Sequence, residues 1–103
     1  MRIKLLKLKS GEDVIGDILK ENAEFITVGS PAVLMPVGEG RAGAVQIGLV
    51  PWVPFSEAKS FEIKRDWVVL ITDPSIDIVN NYNQIFGSGI VMPQVNTKSL
   101  LQE

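Results

Sequence analysis

The sequence predicts a single, mainly β domain, in which five or six short, strongly bent strands form a small barrel or bent sheet and one α-helix follows the last strand. Short apolar runs separated by Gly- and Pro-containing turns fill residues 2–71. Only one helical pattern follows, over residues 74–86, whereas a parallel α/β fold needs a helix between successive strands. We therefore predict a barrel over residues 2–71, the helix, and a C-terminal tail over residues 88–103.

The predicted strands cover residues 2–9, 14–19, 25–28, 32–35, 44–50, 61–63 and 67–71. In the first strand, Leu6 and Leu8 share one face. Ile3 and Leu5 are out of phase with them, which indicates either a bulge or a strand that is buried on both faces. Gly16 in the middle of the second strand predicts strong bending or a close approach of another segment.

The helix has recognisable start and stop residues. Asp73 is a suitable N-cap, Pro74 suits the first helical position, and Gly87 suits the position after the last turn. The apolar half of the helix, which should dock on the sheet, consists of Ile76, Ile78, Val79, Tyr82, Ile85 and Phe86.

Composition excludes several function classes. The 103 residues include 10 basic and 12 acidic side chains, a net charge of −2, whereas proteins that bind nucleic acid over their whole surface are usually strongly basic. There is no Cys and no His, so thiol nucleophiles, imidazole catalysis and Cys/His zinc sites are excluded. We expect no metal and no cofactor. The missing disulfides, the lack of a signal peptide and the lack of a long apolar segment predict a cytoplasmic protein that makes no membrane contact.

Two patterns resemble catalytic or cofactor-binding motifs. Gly38, Gly40 and Gly43 have the spacing of a dinucleotide-binding loop, but that site requires a helix after the third glycine, and a strand pattern follows here. We predict a hairpin loop. The acidic pairs at residues 12–13 and 73–77 have the composition of a carboxylate active site, but they suit a turn and a helix start better, so we expect no enzyme.

Two further segments leave alternatives open. Trp52 and Phe55, in a Pro-rich apolar loop, either cover the core or face a partner. Lys64, Arg65 and Asp66, between two strands, form either a solvated turn or a turn whose cations contact phosphate or stack on a base.

Two segments resemble the sequence motifs of the Sm-like (LSm) family. Residues 6–18, LKLKSGEDVIGDI, are similar to the first Sm motif, in which a strand ends at a turn Gly and an apolar strand containing another Gly follows. Residues 61–71, FEIKRDWVVLI, resemble the second motif, an Ile-Arg-Gly-Asn-x-Val-like turn between two strands. The resemblance is closest to divergent, phage-encoded members seen in marine samples.

The resemblance implies a five-stranded Sm-like barrel of the SH3-like class and a homo-oligomeric ring of about five to seven copies. It also implies binding of single-stranded RNA, or DNA, in a non-catalytic role in nucleic-acid processing. The residues that it assigns to the nucleic-acid site are Lys64, Arg65, Asp66, Asn22 and Phe25. Arg65 replaces the Gly of the family motif, and an apolar run at residues 25–26 replaces its pocket Asn. The alternative is an oligomeric scaffold that binds protein and no nucleic acid.

Overall fold

The structure, a computed structural model, describes residues 1–39 and 45–86 and has a mainly β fold. Its strands are β1 (Ile3–Leu8), β2 (Asp13–Glu21), β3 (Phe25–Glu39), β4 (Val45–Pro51), β5 (Ser60–Lys64) and β6 (Val68–Thr72). A 3-10 helix (Arg65–Trp67) joins β5 to β6, and α1 (Ile76–Phe86) follows β6. In the described part of the chain, no helix is long and apolar enough to cross a membrane.

All strands pair antiparallel in one sheet, in the order β4-β3-β2-β1-β6. The fifteen-residue strand β3 pairs with β2 on one edge and with both β4 and β5 on the other. The sheet therefore has six strands, within the five or six predicted from the sequence and one more than the five that the resemblance implies, because the loop over residues 52–59 divides its outer edge into β4 and β5. In the described residues the sheet is open, since β6 pairs only with β1.

The sheet is covered by apolar side chains on both faces. The inner core, on one face, consists of Leu6, Leu8, Val14, Ile18, Ile26, Val28 and Ile63. On the other face a helix-side core, made of Ile15, Ala32 and Tyr82, lies under α1 with Ile3 and Leu5 packed against it. Strand β1 is thus buried on both faces, one of the two alternatives predicted, and its pairing with β6 also contains a bulge between Lys7 and Leu8.

A sharp bend in β2 and β3 depends on Gly16. The pairing register shifts there, and a Cβ added at Gly16 would lie only 2.3 Å from Val28 Cγ1 and 3.0 Å from the Gly29 carbonyl oxygen. This confirms the predicted close approach. Opposite the bend, Ser30 has a φ of 45°, and the Tyr82 hydroxyl lies 3.2 Å from the Gly29 carbonyl oxygen and 2.9 Å from that of Ser30. The two short strands predicted over residues 25–28 and 32–35 are therefore one long strand, β3, with a shift in its pairing register between them.

The start of α1 differs from the expected one. The Ser75 side chain and carbonyl accept the backbone N–H groups of Ile78 and Val79, so Ser75 is the N-cap. Asp73 instead forms an ion pair with Lys4 on β1. Fewer apolar residues of α1 pack against the sheet than the sequence predicts.

Ile78, Tyr82 and Phe86 of α1 belong to the helix-side core, whereas Ile76 and Ile85 are exposed. The expected stop at Gly87 and the tail over residues 88–103 lie outside the described residues.

Candidate nucleic-acid interface

The turn between β2 and β3 is built around Asn22. The Asn22 side-chain oxygen accepts the backbone N–H groups of Glu24 and Phe25, each at 2.8 Å, and the Asn22 N–H donates to the Phe25 carbonyl at 2.9 Å. Asn is favoured in such turns because its side chain can replace a backbone acceptor. The Asn22 oxygen is thus engaged in holding the turn, and Phe25 begins β3 directly beside it.

The turn between β5 and β6 lies next to this first turn. Lys64, the last residue of β5, is directly opposite Phe25 in the antiparallel register, and directly opposed side chains on neighbouring strands contact one another. The backbone N–H of Arg65 donates to the Glu24 carbonyl at 2.9 Å, which fixes one turn to the other. Two segments about forty positions apart in the sequence therefore form one surface.

The two turns enclose an open depression of about 300 Å³, lined by Ala23, Glu24, Phe25, Lys64 and Asp66. This volume is at the small end of the range for ligand pockets, about 300–1,000 Å³. Phe25 provides a half-buried aromatic ring, Lys64 a cation, and Glu24 and Asp66 carboxylate acceptors. Such a site can hold a flat ring with N–H donors while the lysine contacts a phosphate.

The two cations of the second turn have different surroundings. The Arg65 guanidinium lies 3.0 Å from one oxygen of Glu21, and the Arg2 guanidinium lies 3.0 Å from the other. These two hydrogen bonds hold the pKa of the Glu21 carboxyl below its usual value. By contrast, none of the four ion pairs in the described residues includes Lys64. Lys64 is therefore free to bind an anion, whereas Arg65 is held by Glu21 against the end of β2.

The structure thus brings Phe25, Lys64 and Asp66 to one depression, with Asn22 shaping its rim and Arg65 tying its two turns together. Two residues that line the depression, Ala23 and Glu24, were not predicted from the sequence. Arg2 and Glu21 were not predicted either. Their positions give no sequence signal, because the contact with Arg65 depends on the bend of β2.

The acidic pairs do not form an open carboxylate site in the described structure. Glu12 accepts hydrogen bonds from the Ser10 hydroxyl and from Trp52 Nε1 at 3.3 Å, and these contacts lower the pKa of its carboxyl. Asp13 lies 3.1 Å from Lys7 Nζ. Within residues 1–39 and 45–86, no cluster of three or more acidic side chains is arranged to hold a metal ion.

The remaining expectations concern two loops. Gly38 ends up within β3, with a φ of 152°, while Gly40 and Gly43 lie outside the described residues. In the apolar loop the two aromatic residues differ: Trp52 packs against the inner core, and Phe55 is 99% exposed. Trp52 therefore agrees with the first alternative, a cover for the core, whereas Phe55 does not cover the core.

A scan against protein-family models found no match to this chain, and a search among curated proteins found no similar sequence.

Proposed function

We propose that this chain is an Sm-like protein that assembles into a ring and binds single-stranded RNA, or single-stranded DNA, in a non-catalytic role in nucleic-acid processing. The observation that carries the proposal is the depression between the two turns. Residues 61–71 resemble the second Sm motif, and the turn at its centre contributes Lys64 and Asp66. The facing turn connects β2, in which the first motif-like segment (residues 6–18) ends, to β3. Phe25, the first residue of β3, lines the depression from this side.

The proposed barrel is supported by the strand arrangement. Strands β4 and β5 lie along the same edge of β3, so they correspond to one strand interrupted by residues 52–59. Counted in this way, the sheet has the five strands that the resemblance implies. The terminal strand β6 pairs with β1, and the turn before it is a 3-10 helix, as suits a compact corner between two bent strands.

The proposed chemistry uses the depression for one nucleotide. Lys64 donates to a backbone phosphate, Phe25 provides an apolar surface for the base, and the carboxylates of Glu24 and Asp66 accept N–H groups of the base edge. Because carboxylates repel phosphate, the base enters the depression and the phosphate stays at its rim, near Lys64. Arg65 acts mainly by holding the turn in place through Glu21.

The proposed ring is supported by strand β6. Its residues Val69, Leu70 and Ile71 are 60%, 49% and 37% exposed, so apolar side chains project unburied from both faces of the strand. Continuous apolar runs are typical of strands covered on both faces, and an unpaired edge of this kind is prone to pair with another chain. Pairing of β6 with the outer edge of β4 and β5 in the next copy covers it. This contact is head-to-tail, and repeating it closes a ring when the rotation from one copy to the next is a whole fraction of a turn.

The second candidate function is an oligomeric scaffold that binds protein. The specific observation in its favour is Phe55, which is fully exposed at the tip of a Pro-rich apolar loop. Exposed aromatic residues on rigid loops are typical anchors of protein–protein interfaces. The net charge of −2 also agrees with this function.

The test is fluorescence anisotropy of labelled oligo-U, oligo-A and single-stranded DNA, with assembly measured by light scattering. Lys64→Ala is compared with Lys59→Ala, which removes another exposed lysine, directly before the start of β5. We expect the assembled wild-type protein to bind, the Lys64 variant to lose at least about 10-fold in affinity, and the Lys59 variant to be unchanged. If assembled wild-type protein binds none of the three, the nucleic-acid function is wrong and the scaffold takes its place.

A further inference from the structure

Trp67 is an exposed aromatic residue that neither core uses. It ends the 3-10 helix, is 45% exposed, and is absent from both apolar clusters of the described residues. The other tryptophan, Trp52, packs against the inner core and meets Phe61 edge to face, with ring centroids 6.5 Å apart. Packing therefore explains Trp52 and leaves the exposed part of Trp67 without a role inside the subunit.

The polar edge of the Trp67 indole is fixed by a chain of hydrogen bonds. Its Nε1–H donates to the Ser10 hydroxyl at 3.3 Å, and that hydroxyl donates to the Glu12 carboxylate. The other Glu12 oxygen accepts the Trp52 Nε1–H at 3.3 Å. The backbone is fixed as well, because the Lys9 N–H donates to the Trp67 carbonyl at 2.9 Å. An indole anchored at its edge is held in one orientation at low entropic cost, with no need for a ligand to satisfy its N–H.

Trp67 belongs to the same 3-10 helix as a residue of the candidate nucleic-acid interface. It directly follows Asp66, which lines the depression, and a 3-10 helix advances by only about 2 Å per residue. Lys9, which is held beside Trp67 by the backbone hydrogen bond, is exposed and takes part in none of the four ion pairs of the described residues. Proteins that bind single-stranded nucleic acid without sequence preference combine exposed aromatic rings with cations, and Trp67 and Lys9 supply one of each on two segments joined through their backbones.

We propose that Trp67 is a second nucleotide-binding position, where a base stacks on the indole and Lys9 contacts the adjoining phosphate. The proposal rests on the proposed function, since the strand that reaches Trp67 is the one whose neighbouring nucleotide occupies the depression. Its ligand is a single-stranded oligonucleotide of at least two nucleotides. Stacking tolerates every base, so this position adds affinity and no strong sequence preference.

The experiment measures oligonucleotide affinity for Trp67→Ala, Trp67→Phe and Phe55→Ala, with assembly followed by light scattering. Phe55→Ala is the matched control, because it also removes an exposed aromatic ring, in a loop outside the candidate interface. We expect Trp67→Ala to bind about 10- to 100-fold more weakly. Trp67→Phe keeps an aromatic face and should recover most of the affinity, while Phe55→Ala should bind like the wild type.

Two results overturn the assignment while leaving the proposed function in place. In the first, wild-type protein binds and Trp67→Ala binds equally well. In the second, Trp67→Ala loses affinity only because it no longer assembles, which would show that the indole lies against the next copy. Absence of binding by assembled wild-type protein contradicts the proposed function itself, and the Trp67 assignment with it.

Discussion

At the scale of single residues, the Tyr82 hydroxyl connects α1 to the bend in β3. It donates to the adjacent carbonyls of Gly29 and Ser30, and the Tyr82 side chain is almost fully buried. Tyr82→Phe leaves both carbonyls without this donor, at a cost of about 1–3 kcal/mol in the free energy of unfolding. Urea denaturation at neutral pH measures the difference, and an unchanged midpoint would contradict it.

The same hydroxyl predicts a loss of stability at alkaline pH. Burial raises the pKa of Tyr82 to about 12 from a usual value of 10.0. The folded state keeps the Tyr82 proton at a pH where the unfolded state has lost it. The contribution of this hydroxyl to the free energy of unfolding is therefore complete below pH 10 and is lost as the pH rises towards 12. The wild type should therefore lose about 1.4 kcal/mol per pH unit relative to Tyr82→Phe in this window. Unfolding of both proteins at pH 9, 10 and 11 tests this, and a constant difference would contradict it.

Gly16 permits the sharpest packing contact of the sheet. A methyl group at this position would lie 2.3 Å from a buried Val28 methyl, and the rigid Gly29 carbonyl lies nearby. We expect Gly16→Ala to destabilise the fold by about 1–3 kcal/mol through overpacking. Gly29→Ala is the matched comparison, because its methyl would meet only the exposed and adjustable Leu19 side chain. Equal thermal stabilities of the two variants would show that the bend does not depend on Gly16.

At the scale of elements, the proposed ring contact uses the edge of β6 that has no partner strand among residues 1–39 and 45–86. Val69→Lys places a charge where the next copy is expected, and lysine on an edge strand opposes pairing with another chain. Since Val69 is 60% exposed, the isolated subunit should keep its stability. We expect a shift from ring to monomer in multi-angle light scattering.

The control for this variant is Ile85→Lys. Ile85 is 51% exposed in the last turn of α1, where a cation is favourable, so this change adds the same charge away from the β6 edge. Because the neighbouring Phe86 lies near Pro51 and Phe61 of the opposite sheet edge, this control separates a charge on β6 from a charge near the β4 and β5 edge, and we expect the loss of assembly to be larger for Val69→Lys. If both variants assemble like the wild type, the ring contact does not use β6.

At the scale of the whole molecule, the charge distribution predicts a modest salt dependence. The net charge is −2, so binding must rely on a few local contacts with phosphate and not on a basic surface. For single strands, the logarithm of affinity falls against the logarithm of salt concentration with a slope of about 0.7 per neutralised phosphate. Lys64→Ala should reduce the slope by about 0.7 for each copy that the oligonucleotide engages. An identical slope would mean that Lys64 does not contact phosphate.

Patterns that depend on neighbouring residues could be predicted from the sequence, whereas pairings between distant residues could not. The two apolar phases of β1 indicated a bulge or two-sided burial, and the position of Gly16 indicated bending or a close approach; the structure shows both features for β1 and the close approach at Gly16. The helix start was wrong because Asp73 and Ser75 are both good caps, and only the fold shows that Lys4 engages Asp73.

The same limit applies to the candidate interface. Lys64 and Asp66 could be identified as candidate binding residues from the sequence, because they are charged and lie between two apolar strands. That Phe25 lies opposite Lys64 follows from the register of β3 and β5. That Arg65 is held by Glu21 follows from the bend of β2, since the two residues are 44 positions apart.

The pairing of β1 with β6 has a consequence for synthesis on the ribosome. The first strand to emerge must wait for the last strand of the sheet, and the helix-side core stays uncovered until α1 follows it. Nascent chains therefore expose the apolar faces of β1 at least until Thr72 has been synthesised. Folding is then expected to be a late, concerted event, and chains released before Thr72 should be degraded or should aggregate rather than accumulate as partly folded domains.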